Sequence, residues 1–429
     1  MPKPSKLPTW ATGAASILEP SDGKKAQGWV PGEQPPASFF NYWQNLVHLW
    51  TTWFDTTVDS HTTTLGTHTT QIAALTTRAD TTDNKLYREQ VRAEIFALCN
   101  LHKGAIPPGT AQLGQAAADP LTGRLIVVLG GASTATSVNP DVLASPAWGL
   151  AVAVNIQRVL WVPQSSRFIG FGVASTLRWT ADGAAWSTIT PSGSGVYGQG
   201  MIANNGSGVL VQLEARDLNR STDGGVTWTL TTNALPVVMS GAIAYGAGLF
   251  VAPNGGVSNG DVYTSPDGVT WTVRPLPAAT VRHGIMPNIA YLLGVGFVML
   301  NWESATTAKI YQSQDGITWA RTLDLGADIP NTGNAMLVTE SAIYQTMGSA
   351  NFTASTFAPD LAFLKDGSIV RFKMTSVPGG TPLPGGSGTF GNISYVRRRD
   401  QKLFIASGWN GGGTSPGEIW AASIGTVLT

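Results

Sequence analysis

The stretch Ser221-Thr-Asp-Gly-Gly-Val-Thr-Trp228, STDGGVTW, decides the fold. Asp-Gly between two strand-like runs signals a hairpin, because glycine adopts positive φ without a Cβ clash. The Asp223 carboxylate can accept hydrogen bonds from nearby backbone N–H groups, and Ser221 can add another. Trp228 then opens the next strand and turns a large apolar surface inward, worth roughly 2–3 kcal/mol when buried. Three further segments align with it: TADGAAW from Thr180, SPDGVTW from Ser265 and SQDGITW from Ser313. Asp182, Asp223, Asp267 and Asp315 are 41, 44 and 48 residues apart, and a looser copy, LKDGSIVRF, places Asp366 a further 51 on.

An apolar, strand-like run precedes each copy: RFIGFGVA, GVLVQLEA, GLFVAP, GFVMLNW and SAIYQTM. Two more runs, GRLIVVLG from Gly123 and KLFIASGW from Lys402, keep the phase without a following Asp-Gly turn. Seven units of several short strands, at a period of 40 to 50 residues, predict a β-propeller of seven blades over 123–429. The structural turn residues are Asp182, Gly183 and Trp186; Ser221, Asp223, Gly225 and Trp228; Ser265, Asp267, Gly268 and Trp271; and Ser313, Asp315, Gly316 and Trp319.

These segments resemble the Asp-box, or BNR, repeat of sialidases and related propellers. Ser221–Trp228 matches the S-x-D-x-G-x-T-W form at every defined position, and the copies at Ser265 and Ser313 match a form one residue shorter. The first copy departs from it at Thr180 and Ala185. The resemblance implies the fold and leaves activity open, since the box is a turn shared by enzymes and non-enzymes. Sialidases add an arginine triad, a Tyr–Glu nucleophile pair and an F/Y-R-I-P element, and no such element stands here. The head carries Arg124, Arg178, Arg282 and Arg371, but arginine is common and three can always be proposed. The head holds four glutamates, Glu214, Glu303, Glu340 and Glu418, and their spacing selects no carboxylate pair for glycoside hydrolysis. His283 is its one histidine, so neither a metal site nor a Ser–His arrangement is supported. The reading is a binding head with no catalytic residues, no cofactor and no metal. Trp302 and Trp409, beside polar loop sequence, are the candidates for receptor contact, against the alternative that both are core residues.

Residues 55–104 hold almost no Gly or Pro. Val58, Leu65, Ile72, Ala79 and Leu86 recur every seven residues, and Phe54, His61, His68, Leu75 and Thr82 recur between them. That a/d pattern predicts a left-handed coiled coil with its seam at Phe54, Val58, His61, Leu65, His68, Ile72, Leu75, Ala79 and Leu86. The many threonines are poor helix formers, so partner copies must supply the stability. Symmetric polar layers of His61 and His68 around an axis favour a homotrimer.

Charged residues are 12% of the 429, and Lys+Arg equals Asp+Glu at 26 each. That balance offers no pull toward nucleic acid or an anionic membrane. Arg397-Arg398-Arg399 reads as a solvated strand end. Cys99 is the single cysteine, so no intrachain disulfide framework exists, and its helical apolar setting predicts a buried, inert thiol. MPKPSKLPTW lacks the apolar run of a signal peptide, and IAYLLGVGFVML, the longest apolar stretch, is too short to span a bilayer and predicts adjoining buried strands.

The first 54 residues are rich in Pro and Trp and end in an aromatic helix, FFNYWQNLVHLWTTWF. LPTWATG followed by EPSDGKKAQGWVPGEQPPASFFNYWQNLVHLW is similar to the N-terminal segments of phage tail-fibre and other virion proteins, through Leu7, Pro8, Trp10, Gly28, Trp29, Pro31, Gly32, Pro35, Pro36 and Asn41. The resemblance implies docking to a tail or portal assembly, with Trp10, Trp29 and Trp43 as anchor residues. So many aromatics exceed what a short segment buries alone. The expected organisation is a virion anchor over 1–54, a trimeric coiled coil over 55–104, a linker over 105–122 and the mainly β head over 123–429. The expected function is that of a phage tail fibre or spike, assembled in the host cytoplasm, whose head binds a host glycan or protein. A glycan-cleaving tailspike and a purely structural collar protein are the alternatives.

Overall fold

A computed structural model describes residues 21, 37–99, 102–103, 113–129, 133–137, 152–154, 156, 158–171, 177–189, 201–239, 242–254, 261–277, 288–302, 308–325, 334–347, 360–372, 389–399, 401–409 and 418–424. The chain divides into two compact units, Met1–Lys85 and Leu86–Thr429.

One helix, Ala37–Cys99, is described. It is continuous from the aromatic segment onward, so no break separates an anchor helix from the heptad region at residue 54. Threonine hydroxyls donate back to the carbonyl four residues earlier, as at Thr63 to Asp59, Thr69 to Leu65 and Thr76 to Ile72, which satisfies the hydroxyls locally. Trp50, Trp53 and Phe54 cluster on it, with Trp53 and Phe54 edge to face at 5.1 Å. The predicted seam residues Phe54, Val58, Leu65, Ile72 and Leu75 are all more than half exposed, and His61 and His68 are exposed. The Ala79 side chain lies outside the described residues. No described helix is long and apolar enough to cross a membrane.

The second unit is mainly β. Its described residues form seven four-stranded antiparallel sheets, six of them meanders of consecutive strands. In chain order these six begin with the strands Leu113–Ala118, Arg158–Val162, Ile202–Asn204, Ala244–Gly246, Asn288–Leu292 and Asn334–Val338; the third, for example, comprises Ile202–Asn204, Leu210–Glu214, Asp217–Ser221 and Thr229–Thr231. The apolar runs seen in the sequence are the second strands. The Asp-Gly segments follow the third strands. IAYLLGVGFVML forms the adjoining strands Asn288–Leu292 and Gly296–Trp302.

The seventh sheet differs. Thr389–Arg398, Gln401–Trp409 and Glu418–Ser423 supply three strands, and His102–Lys103, just past the helix, supplies the outermost, with His102 opposite Ala421. The chain's two ends of this unit are thus joined in one sheet. Core clusters link each sheet to the next. Ile126 and Val128 of the first pack with Val159 and Phe168 of the second, and Phe297 of the fifth packs with Val251 of the fourth. The seventh meets the first where the Ala116 N–H donates to Ser394 Oγ at 2.9 Å.

Three expectations are corrected. The interval 105–122 is not a linker, because Leu113–Ala118 is a sheet strand and the β unit begins before residue 123. The region 55–104 is not one element, because the last turns of the helix, from Leu86, belong with the sheets and His102–Lys103 is a strand. Of Arg397–Arg399, only Arg398 departs from the solvated strand end expected, since Arg397 and Arg399 are exposed. Arg398 is 2% exposed and donates through Nε to the Gly123 carbonyl, while Arg399 N–H donates to the Pro120 carbonyl. The run clamps the last sheet onto the turn of the first.

Candidate functional site

The Asp-Gly turns are self-contained. Ser221 Oγ donates to Asp223 Oδ1 at 2.8 Å and accepts the Gly225 N–H at 2.8 Å. The carboxylate also takes the Val226 and Thr227 N–H groups, and Trp228 Nε1 donates to the Gly225 carbonyl at 2.9 Å. The turns at Asp182, Asp267 and Asp315 repeat the hydroxyl-to-carboxylate bond with Thr180, Ser265 and Ser313, and Trp186 and Trp319, though not Trp271, repeat the indole bond. Burial alone would raise the Asp223 carboxyl, but the Thr227 hydroxyl and N–H hold it below the usual range. Backbone N–H groups lower Asp182 and Asp267, and the Thr318 N–H leads those that bring Asp315 down to about 2.

Every carboxylate in these turns is thus engaged in holding its own loop. The tryptophans face the preceding sheet: Trp228 packs with Val162 and Ile169, Trp319 with Val251. Those two are buried, while Trp186 and Trp271 are half-buried. Gly268, at φ +76°, lies so close to the preceding sheet that a Cβ there would stand 2.5 Å from Val211 Cγ2. The turns are architecture.

In a meander sheet, the first-to-second and third-to-fourth connections lie at one end and the remaining ones at the other. Turns at the first end bond across sheets, as where Ser165 Oγ donates to the Gly224 carbonyl and Arg220 Nε to the Asp267 carbonyl. The foot of the helix, residues 86–99, joins this same end, in the wedge between the sixth and seventh sheets. Val91, Ala97 and Leu98 pack with Leu337, Tyr344, Leu364, Ile393 and Phe404. Tyr87 OH accepts the Lys365 N–H at 2.6 Å, and Arg88 pairs with Asp366 at 2.8 Å.

Glu94 lies in this wedge, fully buried. Its carboxylate accepts from Tyr344 OH at 2.7 Å, Thr339 Oγ1 at 2.8 Å, Ser341 Oγ at 3.0 Å and Gln90 Nε2 at 3.1 Å. Burial, followed by the Glu94 charge, pushes the Tyr344 phenol far up. Glu340, between Thr339 and Ser341 in sequence, takes Lys402 at 2.7 Å, Arg397 at 3.2 Å and Tyr395 at 2.9 Å. Four hydrogen-bond donors on one buried carboxylate form a joint between helix and sheets. Sequence reasoning missed Glu94. The available signal was a glutamate between Val91 and Leu98 on the apolar face of a helix.

Trp302 and Trp409 are the last residues of the second strands of the fifth and seventh sheets. Both therefore stand at the end opposite the foot and the Asp-Gly turns. Glu303, Arg282 and His283 lie outside the described residues, as do Trp10 and Trp29, while Trp43 is within the helix. Cys99 is half-buried rather than buried, and burial raises its thiol. Among the described residues no group of three His, Cys, Asp or Glu could hold a metal ion.

No family model matches the chain, and no curated protein matches it. Among solved structures, a catalytically inactive virginiamycin B lyase from Staphylococcus aureus with quinupristin is similar at 10% identity and a TM-score of 0.51, covering 75% of this chain and 99% of the other. YCF48 bound to D1 peptide is similar at 14% identity and a TM-score of 0.48, covering 75% and 94%. YCF48 from Cyanidioschyzon merolae is similar at 10% and 0.49, covering 75% and 98%. The first of these likenesses agrees with the sheet order in defining a propeller-like fold, and at such identity it speaks of fold alone.

Proposed function

We propose that this chain is a virion appendage of the phage tail-fibre kind. It is a homotrimer through its helix, it docks to the particle by its N-terminal segment, and its head is a seven-bladed Asp-box propeller that binds a host-surface glycan or protein. The observation that carries the reading is the helix itself. Phe54, Val58, Leu65, Ile72 and Leu75 are each 55 to 65% exposed at coiled-coil spacing, an arrangement that a helix in water retains when copies cover it. The resemblance of residues 7–41 to virion anchors supports the assignment to a particle.

The head is read as a binding module because the carboxylates of its Asp-Gly turns are committed to structure. Its partner-facing end is the one bearing Trp302 and Trp409, opposite the helix foot. Three heads on one stalk would give avidity without high affinity at any single site.

Purified full-length protein should compete with particles for adsorption to susceptible cells. Absence of competition, with undiminished adsorption by particles lacking the head, would favour a structural collar role. Release of oligosaccharide from host surface polysaccharide would make it a glycan-cleaving spike instead.

A further inference from the structure

We propose that the β unit holds a slot for an indole-type aromatic ring between its fifth and sixth sheets, at the end that bears the Asp-Gly turns. The slot lies wholly within this unit and stands whether or not copies of the chain associate.

The four turn tryptophans show how such a ring is held. Trp186 packs with Val128 of the first sheet, Trp228 with Ile169 of the second, Trp271 with Val211 of the third and Trp319 with Val251 of the fourth. Each ring thus lies between its own turn and the sheet before it. Three of them donate the indole N–H to a glycine carbonyl of the turn: Trp186 to Gly183, Trp228 to Gly225 and Trp319 to Gly316.

The sixth sheet, whose third and fourth strands are Asp360–Leu364 and Ile369–Phe372, carries no such ring. Phe363 and Ile369 are six residues apart, as Ser313 and Trp319 are. Both belong to the core shared with Val298 and Ile310 of the fifth sheet, so Ile369 takes the tryptophan's place. Its short side chain does not reach back over the turn as an indole does. A Cβ on Gly367 would meet nothing within 4 Å, whereas one on Gly316 would stand 2.9 Å from Val251. Between the sixth turn and the fifth sheet opens a cavity of about 640 Å³, lined by Val295, Gln312, Ala320, Thr322, Leu364 and Gly367 among others. Pockets of about 300–1,000 Å³ take small molecules.

The wall is of a kind that already seats a ring. Gln312 pairs with Ala320 in the fifth sheet as Thr264 pairs with Thr272 in the fourth, and strand alternation turns all four toward the following sheet. Thr264 and Thr272 flank the slot that holds Trp319; Gln312 and Ala320 flank its counterpart. Among the described residues nothing donates to the Gly367 carbonyl, which leaves an acceptor for a ring N–H. The turn needs no ring to hold it. Tyr87 OH accepts the Lys365 N–H at 2.6 Å and Arg88 pairs with Asp366 at 2.8 Å, so the helix foot fixes it from outside the slot. Walls fixed in advance take a rigid ring at little ordering cost.

Fluorine NMR of 5-fluoroindole with the full chain tests this, because the signal is free of the protein's own tryptophans. The probe should bind saturably with a Kd on the order of 1 mM. Ile369→Trp, which supplies the ring in cis, should weaken that binding roughly tenfold or more. Ala320→Arg, at an exposed position, should do the same without altering a packed residue, while Val269→Arg, exposed in the turn of the fourth sheet, should leave it unchanged. No saturable response from the unaltered chain overturns the proposal, and so does a response left intact by either slot variant in folded form. Displacement of the probe by acetyl-Gly-Trp-Gly-amide at lower concentration than by unlabelled indole would assign the slot to a side chain of another polypeptide. The reverse order would assign it to a free ring.

Discussion

The Tyr344 hydroxyl donates to the Glu94 carboxylate over 2.7 Å, joining a helix to a strand 250 positions later in the chain. Glu94 is wholly buried, and among the described residues three hydroxyls and one amide donate to it while no basic side chain pairs with it. Removing the acceptor would leave those donors buried without a partner. Glu94→Ala should therefore destabilise the β unit by about 3 kcal/mol or more, and Tyr344→Phe by about 1.5–3 kcal/mol. Urea unfolding followed by tryptophan fluorescence measures both. A Glu94→Ala midpoint equal to wild type would show that the joint contributes nothing.

Asp223 is exposed and organises only its own turn. Asp223→Ala should lower the thermal midpoint of the head by the equivalent of about 1 kcal/mol. Binding to cells should be unchanged. Loss of binding at unchanged stability would mean the turn is a contact site.

The depressed carboxyls set a pH dependence. Asp315 is held at about 2, below its ordinary 3.8, by the Thr318 N–H and its neighbours, and Asp182, Asp223 and Asp267 are lowered in the same direction. Folded values below unfolded ones mean stability that is complete above about pH 4 and lost as pH falls toward 2. Heat-unfolding midpoints should drop across that window. Asp315→Asn should show a shallower drop than wild type, which calorimetry at stepped pH resolves.

Two turn glycines separate backbone cost from packing cost. Gly206, at φ +79°, has open space where a Cβ would go, and Gly268, at φ +76°, has Val211 in the way. Gly206→Ala should cost about 1 kcal/mol for the positive φ alone. Gly268→Ala should cost a further 1–3 kcal/mol or so for overpacking. Equal costs in denaturant unfolding would remove the role given to sheet-against-turn packing.

Ile72 and Leu75, both above 60% exposed, are the test of the stalk. Replacing both with Asp should convert trimers to monomers in analytical ultracentrifugation while leaving the far-ultraviolet signature of the sheets intact. An unaltered mass would refute the seam.

The sheets were legible because their information is local. An apolar run of five or six residues, a turn and a tryptophan are complete within one unit, and repetition turns a tentative motif into a pattern. Leu210–Glu214 and Gly296–Trp302 are second strands for reasons visible in their own residues. The heptad rows were legible for the same reason. The last strand and the joint were not. His102–Lys103 is too short to carry a periodic signal, and its partner, Trp420–Ala421, comes more than three hundred residues later. Arg398 stands in the most polar run of the chain, and it is buried because the turn at Gly123 closes over it.

The amino-acid order alone thus determined the strand-and-turn unit, its repetition and the seven-residue rows, since each is written in neighbours that meet within one turn or one hairpin. Tertiary structure decided which strand completes the seventh sheet, which face of the helix's foot the sheets claim and which it leaves open. Those outcomes depend on pairs such as Glu94 with Tyr344 and Arg398 with Gly123, whose contact exists only once the intervening chain has folded and excluded water from between them.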